Sequence, residues 1–281
     1  REVVIKTIRR QYQDNPDLLR RLRREAEVSR NVVHPGSVPV LDEGTLADGS
    51  PYLALERVHG ECLHGLLQRH RTLPSDLVAA IAMRVASILH SAHVRGYVHR
   101  DIKPEHIVMD AAPDGSLRIR LIDFGVCAAA TAPLDEKKRE VGRVFGTPSY
   151  VSPEQAGGDP DVDARADVYG LGVVMFEAVT GRLPFSASNV TNLLRRIIRD
   201  DAPRAGLIRH DLPFEFDEVI AHSMCRELDR RFSSMRALAR ALAPMLPARA
   251  DVDARLLSIL RIPTLDVSHL AETAIDGIIA A

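Results

Sequence analysis

Between Tyr97 and Asp110 the chain reads YVHRDIKPEHIVMD, a stretch that gathers Asp101, Lys103, Pro104 and His106 within a few residues. Asp101 and Lys103 alternate on a segment that Pro104 keeps irregular. A carboxylate able to take a proton and an ammonium able to hold an anion can therefore face one cleft. His106 follows, and the apolar pair Ile107 and Val108 reads as the start of a strand. Further on, LIDFG (Leu121 to Gly125) is an apolar strand ending on Asp123, with a glycine that frees the backbone to turn. Asp114 and Gly115, flanked by apolar residues, give the joining stretch the look of a hairpin. A lone Asp-x-Lys is ordinarily a solvated loop pair, whereas two acidic loop segments on one hairpin are hard to obtain by chance.

HRD-x-K-P followed by DFG resembles the catalytic signature of the protein kinase family. The resemblance implies an α+β, bilobal fold with a small β-rich lobe and a large helical one. By it, Asp101 orients or deprotonates a Ser/Thr hydroxyl, Lys103 steadies the transferred phosphate, and Asp123 holds Mg²⁺ (or Mn²⁺) on ATP. His99, Arg100, Phe124 and Gly125 are the structural members of the same two motifs. GTPSYVSPEQ (Gly146 to Gln155) resembles the end of the family's activation segment, and Thr147 with Lys103 is its Ser/Thr-specific version. Glu154 is then the partner of Arg231 in RELDRRFSSM, and Asp167 the carboxylate that braces the catalytic loop.

Stepping upstream, EVVIKTI (residues 2–8) is rich in β-branched residues and predicts a strand carrying Lys6. It resembles the family strand whose Lys holds the ATP phosphates. Asn15-Pro16 opens a helix to about Asn31, with Glu25 in the place of the family's Lys partner. Taken alone, Glu25 would be one more solvated helix partner of Arg21. Residues 34–44 and 50–58 predict short strands, the second leading to a hinge. By the resemblance, Leu55 stands where the family places its gatekeeper, and Glu56 to Val58 would give backbone groups to adenine. A short helix is expected from Gly60 to about His70. Leu77, Ile81, Val85, Ile88, Leu89 and Ala92 predict an amphipathic helix from Leu73 to Val94, capped by Ser75 and ended by Gly96. His90 and His93 on that helix read as packing or surface residues, since no third metal ligand is near. Asp163 to Gly181 predicts a helix buried on most sides. Later helices are expected at 187–200, 214–226 and 235–246. The domain reading is a partial small lobe at 1–58, a helical lobe at 59–247, and an unassigned tail at 248–281 with apolar stretches at 256–262 and 275–279.

Composition sets the wider limits. With 281 residues, 46% hydrophobic and 27% charged, the chain can bury a substantial core. A net charge of −1 gives no electrostatic case for nucleic acid or anionic membranes. Cys62, Cys127 and Cys225 have no metal-ligand spacing and suit a reducing, cytoplasmic setting. No apolar run reads as a membrane span, leaving an anchor elsewhere in the intact protein open. Only four of the 37 basic residues are Lys, and two of these, Lys6 and Lys103, fall where the resemblance asks for an ammonium.

Two features depart from the family pattern. His106 stands five residues after Asp101, where the family carries an Asn ligand of the second metal, and Mg²⁺ prefers oxygen. The Gly-rich phosphate loop and its two strands are missing; because the Lys6 strand would otherwise be an exposed edge, truncation is the expectation. Two readings follow: a Ser/Thr kinase of bacterial type acting on protein substrates, or a pseudokinase that binds nucleotide or partners without efficient transfer. Coding sequence upstream of Arg1 discriminates them. Thr131 is the only hydroxyl between Gly125 and Gly146, and Asp135, Glu136 or Glu140 could supply negative charge instead, so weak dependence on activation-loop phosphorylation is expected.

Overall fold

Asn15 fixes the start of the first helix. Its side chain accepts the N–H groups of Asp17 and Leu18, and Pro16 occupies the first helical position, where no intrahelical donor is lost. This helix, α1 (Pro16–Asn31), lays Leu22 and Ala26 on a sheet of β1 (Val3–Thr7), β2 (Val40–Thr45) and β3 (Pro51–Glu56). The order is β1-β3-β2, antiparallel throughout, with Lys6 opposite Leu53 and Val4 opposite Leu55. Ile8, Leu22, Ala26 and Leu53 form a small core of their own. As an edge strand, β1 leaves Val3, Val4 and Ile5 exposed.

The computed structural model describes residues 2–8, 10–112, 116–124, 128–129, 146–246 and 249–260. The expected turn at Asp114–Gly115, together with Gly125, Cys127, Thr131, Asp135, Glu136, Glu140 and the stretch 275–279, lies outside them.

The second lobe comprises β4 (Glu61–Cys62), α2 (Leu63–His70), α3 (Ser75–His93), β5 (Tyr97–Val98), β6 (Ile107–Ala111), β7 (Leu117–Leu121), β8 (Ala128–Ala129), α4 (Pro153–Ala156), α5 (Arg165–Thr180), α6 (Val190–Arg199), α7 (Phe214–Ser223), α8 (Met235–Leu242) and α9 (Arg249–Leu260). The expected hairpin is β6–β7, with Ile107 opposite Leu121 and β4 added on the β6 side. All six predicted apolar positions of α3 are buried, against α5 and α8. Ser75 is the first helical residue and makes no capping bond; Pro74 precedes it. By length and composition α3 could cross a membrane, the one such helix among the described residues, because only Asp76 and Arg84 interrupt it; most of that window is buried within the lobe.

Helix α5 is buried almost all round, as its unbroken apolar sequence requires. Gly172 permits this: a Cβ there would lie 2.7 Å from Ser223 at the end of α7. Gly181, at φ +67°, ends the helix in the left-handed conformation. Helices α6, α7 and α8 are each shorter than their sequence pattern predicts. In the tail, α9 buries Val252, Leu256 and Leu260. Its packing on α3 and β7 is fastened by ion pairs Arg84–Asp253 and Asp76–Arg255.

Candidate active site

Asp167, in the first turn of α5, is the buried post on which the loop from His99 to Lys103 is built. Its Oδ1 accepts the N–H of Arg100 at 2.7 Å, and its Oδ2 accepts the N–H of His99 at 2.8 Å and Nε2–H of His93 at 2.7 Å. Burial alone would raise the Asp167 pKa, but hydrogen bonding and charge from His93, with charge from His99, hold it below the ordinary carboxylate range. These bonds sustain Arg100 at φ +66°, a left-handed backbone that costs a non-glycine residue about 1–2 kcal/mol. The His99 ring is fully buried, meets Phe124 edge-on at 4.8 Å, and accepts the Asp101 N–H on Nδ1. Burial pushes its pKa down despite the nearby Asp167.

The loop so held presents Asp101 and Lys103 to one hydroxyl. Asp101 Oδ1 accepts from both the N–H (2.7 Å) and the Oγ1–H (3.0 Å) of Thr147. Lys103 Nζ donates to the same Oγ1 at 2.8 Å and lies 3.2 Å from Asp101 Oδ2. The carboxylate and the ammonium converge on a Thr hydroxyl, as the alternation in Asp-Ile-Lys allows. Gln155, which sequence reasoning missed, locks this arrangement. It closes a capping box with Ser152 and donates Nε2–H to the Arg100 carbonyl at 2.9 Å.

Lys6, Glu25 and Asp123 meet across the lobes. Lys6 Nζ is 2.5 Å from Glu25 Oε2 and 2.8 Å from Asp123 Oδ1. Burial works against the ammonium, but the two carboxylates outweigh it and hold Lys6 above the ordinary lysine range. Burial pushes Glu25 up in turn, against the pull of Lys6. Glu25 is thus no solvated partner of Arg21. The trio lines a cavity of about 550 Å³ with Val4, Leu55, Val58, Val108 and Leu121. Glu56 also faces it, and its side chain is taken by Arg120, a buried arginine on β7 that the sequence did not single out. An apolar-walled cleft with a charged end, of a size that suits small molecules, fits a nucleotide; Asp123, with a hard carboxylate at φ +64°, fits a divalent cation.

His106 stands between the two acidic centres. Its Nδ1 contacts the Asp101 carbonyl oxygen at 2.9 Å, and its Nε2 is 3.6 Å from Asp123 Oδ2. Burial lowers its pKa, outweighing Asp101.

Beyond the cleft, Arg231 grips Glu154 with both nitrogens, at 2.8 and 3.1 Å, and its guanidinium lies 5.0 Å from the Tyr169 ring. Tyr150 donates its hydroxyl to Glu177 at 2.7 Å, a pair with no signal in the sequence. His93, read as a packing or surface residue, is in fact a bracing partner of Asp167; its spacing from His90 concealed the role.

The protein kinase domain family matches residues 1–242. Serine/threonine-protein kinase PknH of Mycobacterium bovis is 33% identical over 239 residues, covering 85% of this chain and 39% of that protein. Serine/threonine-protein kinase pkn3 of Myxococcus xanthus is 35% identical over 203 residues, 72% of this chain and 37% of that protein. PknE of Mycobacterium bovis is 33% identical over 261 residues, covering 93% and 44%. The chain belongs to the protein kinase family, whose members use ATP and a divalent metal ion. Within that family it sides with the bacterial serine/threonine kinases, as the motifs imply, and spans about two fifths of the length of these relatives.

Proposed function

We propose that this chain is the catalytic domain of a serine/threonine protein kinase, moving the γ-phosphate of ATP to a Ser/Thr hydroxyl of protein substrates. The convergence of Asp101 and Lys103 on the Thr147 hydroxyl carries the reading. Asp101 takes a substrate hydroxyl's proton, and Lys103 holds the charge that develops on the moving phosphate. Thr147 fixes the spacing of that pair and favours aliphatic hydroxyls. Lys6, held by Glu25, binds the phosphates of the donor, while Leu55 and the backbone of Glu56 and Val58 wall the adenine. A divalent cation on Asp123 would neutralise the phosphates. His99, Arg100, Phe124, Asp167, Glu154 and Arg231 position these groups. A cytoplasmic domain, with any anchor outside this chain, is the location that use of ATP supports.

The test is transfer of labelled γ-phosphate by the full chain to a generic protein substrate, beside Asp101→Asn and Lys6→Met. Transfer by wild type alone supports the reading. An inert wild type that still binds nucleotide favours the pseudokinase alternative, which the nitrogen of His106 in place of an amide oxygen recommends.

A further inference from the structure

Arg120 is a buried cation that the proposed phosphate transfer does not use. It lies on β7 opposite Val108, 3% exposed, just ahead of Asp123 in the chain. Among the described residues its Nη2 donates to Glu56 Oε2, while its Nε–H has no partner. A guanidinium out of water is costly unless a carboxylate meets it, so Arg120 dictates where the Glu56 side chain goes. Glu56 ends β3 and lines the nucleotide-sized cavity, which Arg120 itself does not reach. The Glu56 backbone N–H already donates to the Pro39 carbonyl at 3.1 Å. What this residue can offer a base is therefore its carbonyl, which accepts from an amino group.

We propose that Arg120 is a positioning residue for the nucleotide base: by holding the Glu56 carboxylate it fixes the Glu56 carbonyl, and so sets a preference for purines carrying a 6-amino group. This rests on the nucleotide-binding reading above. Val108, opposite Arg120, and Leu121, next to it, line the same cavity. The ion pair thus ties the end of β3 to the wall that β6 and β7 build. A carbonyl held in place before the base arrives loses little freedom on binding, so more of its hydrogen bond appears as affinity. Without the arginine, the Glu56 side chain, already 25% exposed, is free to turn to water, and the carbonyl loses its brace.

Calorimetric titration of the full chain with ADP, and with purine riboside diphosphate, which lacks the 6-amino group, tests this. Wild type should bind ADP the more tightly by about tenfold, the worth of one hydrogen bond. Arg120→Met should weaken ADP by about that factor and leave the analogue within about twofold, so that the discrimination disappears. An arginine with a merely structural role would weaken both nucleotides alike. The double variant Arg120→Met/Glu56→Leu strands no charge, and it carries the same expectation should the single variant fail to fold. A wild type that does not discriminate, equal losses for the two nucleotides, or discrimination that persists in either folded variant overturns the proposal and leaves nucleotide binding standing. Failure of wild type to bind either nucleotide overturns both.

Discussion

Thr147 is joined to Asp101 twice, through its amide and through its hydroxyl, both on the same carboxylate oxygen. The amide bond survives any substitution that keeps the backbone, so the hydroxyl's share can be isolated. Thr147→Val removes only the bridge between Asp101 and Lys103, and misplaced reacting groups cost about 10²-fold in rate. We expect kcat to fall by about that factor in Thr147→Val, with the KM for ATP unmoved and Thr147→Ser near wild type. Equal kcat in the Val and Ser variants would refute the role.

How much of this was readable beforehand depended on the range of each interaction. Asp101, Lys103 and Asp123 sit in short segments whose residue types announce their chemistry. Glu25, Asp167 and Arg231 needed the family resemblance, since each alone looks like an ordinary charge on a helix or turn. His93, Gln155 and Arg120 were missed because their partners lie 74, 55 and 64 positions away, and nothing local distinguishes them. Helix ends were misjudged where caps decide them: the good capping residue Ser75 is displaced by Pro74, whose fixed φ starts the helix one residue earlier than a Ser cap would allow.

His99 makes stability depend on pH. Burial lowers its folded-state pKa below the unfolded value near 6.5, so below that pH the unfolded chain binds a proton that the folded chain refuses. Stability is therefore insensitive to this group above 6.5 and falls with acidification beneath it. Denaturant titrations between about pH 7 and pH 5 should show that loss in wild type and a shallower one in His99→Phe, which keeps a ring against Phe124. Parallel curves would exclude His99 as a source.

Arg231 offers a stability test that separates a charge pair from its parts. Its side chain is wholly buried, bidentate on Glu154, and also donates to the carbonyls of Cys225 and Arg165. Arg231→Met strands the Glu154 carboxylate, and breaking such a pair costs about 3–5 kcal/mol. Arg231→Lys should recover little, because an ammonium cannot make the fork. The double variant Arg231→Met/Glu154→Leu, measured by thermal and denaturant unfolding, should be more stable than Arg231→Met alone. A double variant as unstable as the sum of the singles would show that the pair itself contributes nothing.

Gly146 ties stability and activity together at one atom. Its φ of +99° suits glycine, and a Cβ there would stand 2.7 Å from the Arg100 carbonyl and 3.3 Å from Asp101 Oδ1. Arg100 is already held left-handed by Asp167, and its carbonyl is taken by Gln155, so the loop has little room to yield. Gly146→Ala should therefore move Asp101 or Thr147 rather than be absorbed by them. A left-handed non-glycine backbone costs about 1–2 kcal/mol, and the contact with the Arg100 carbonyl adds to it. We expect a measurable drop in unfolding free energy together with a kcat loss resembling that of Thr147→Val. If Gly146→Ala loses stability but keeps full kcat, the coupling between this turn and the Asp101 carboxylate is absent.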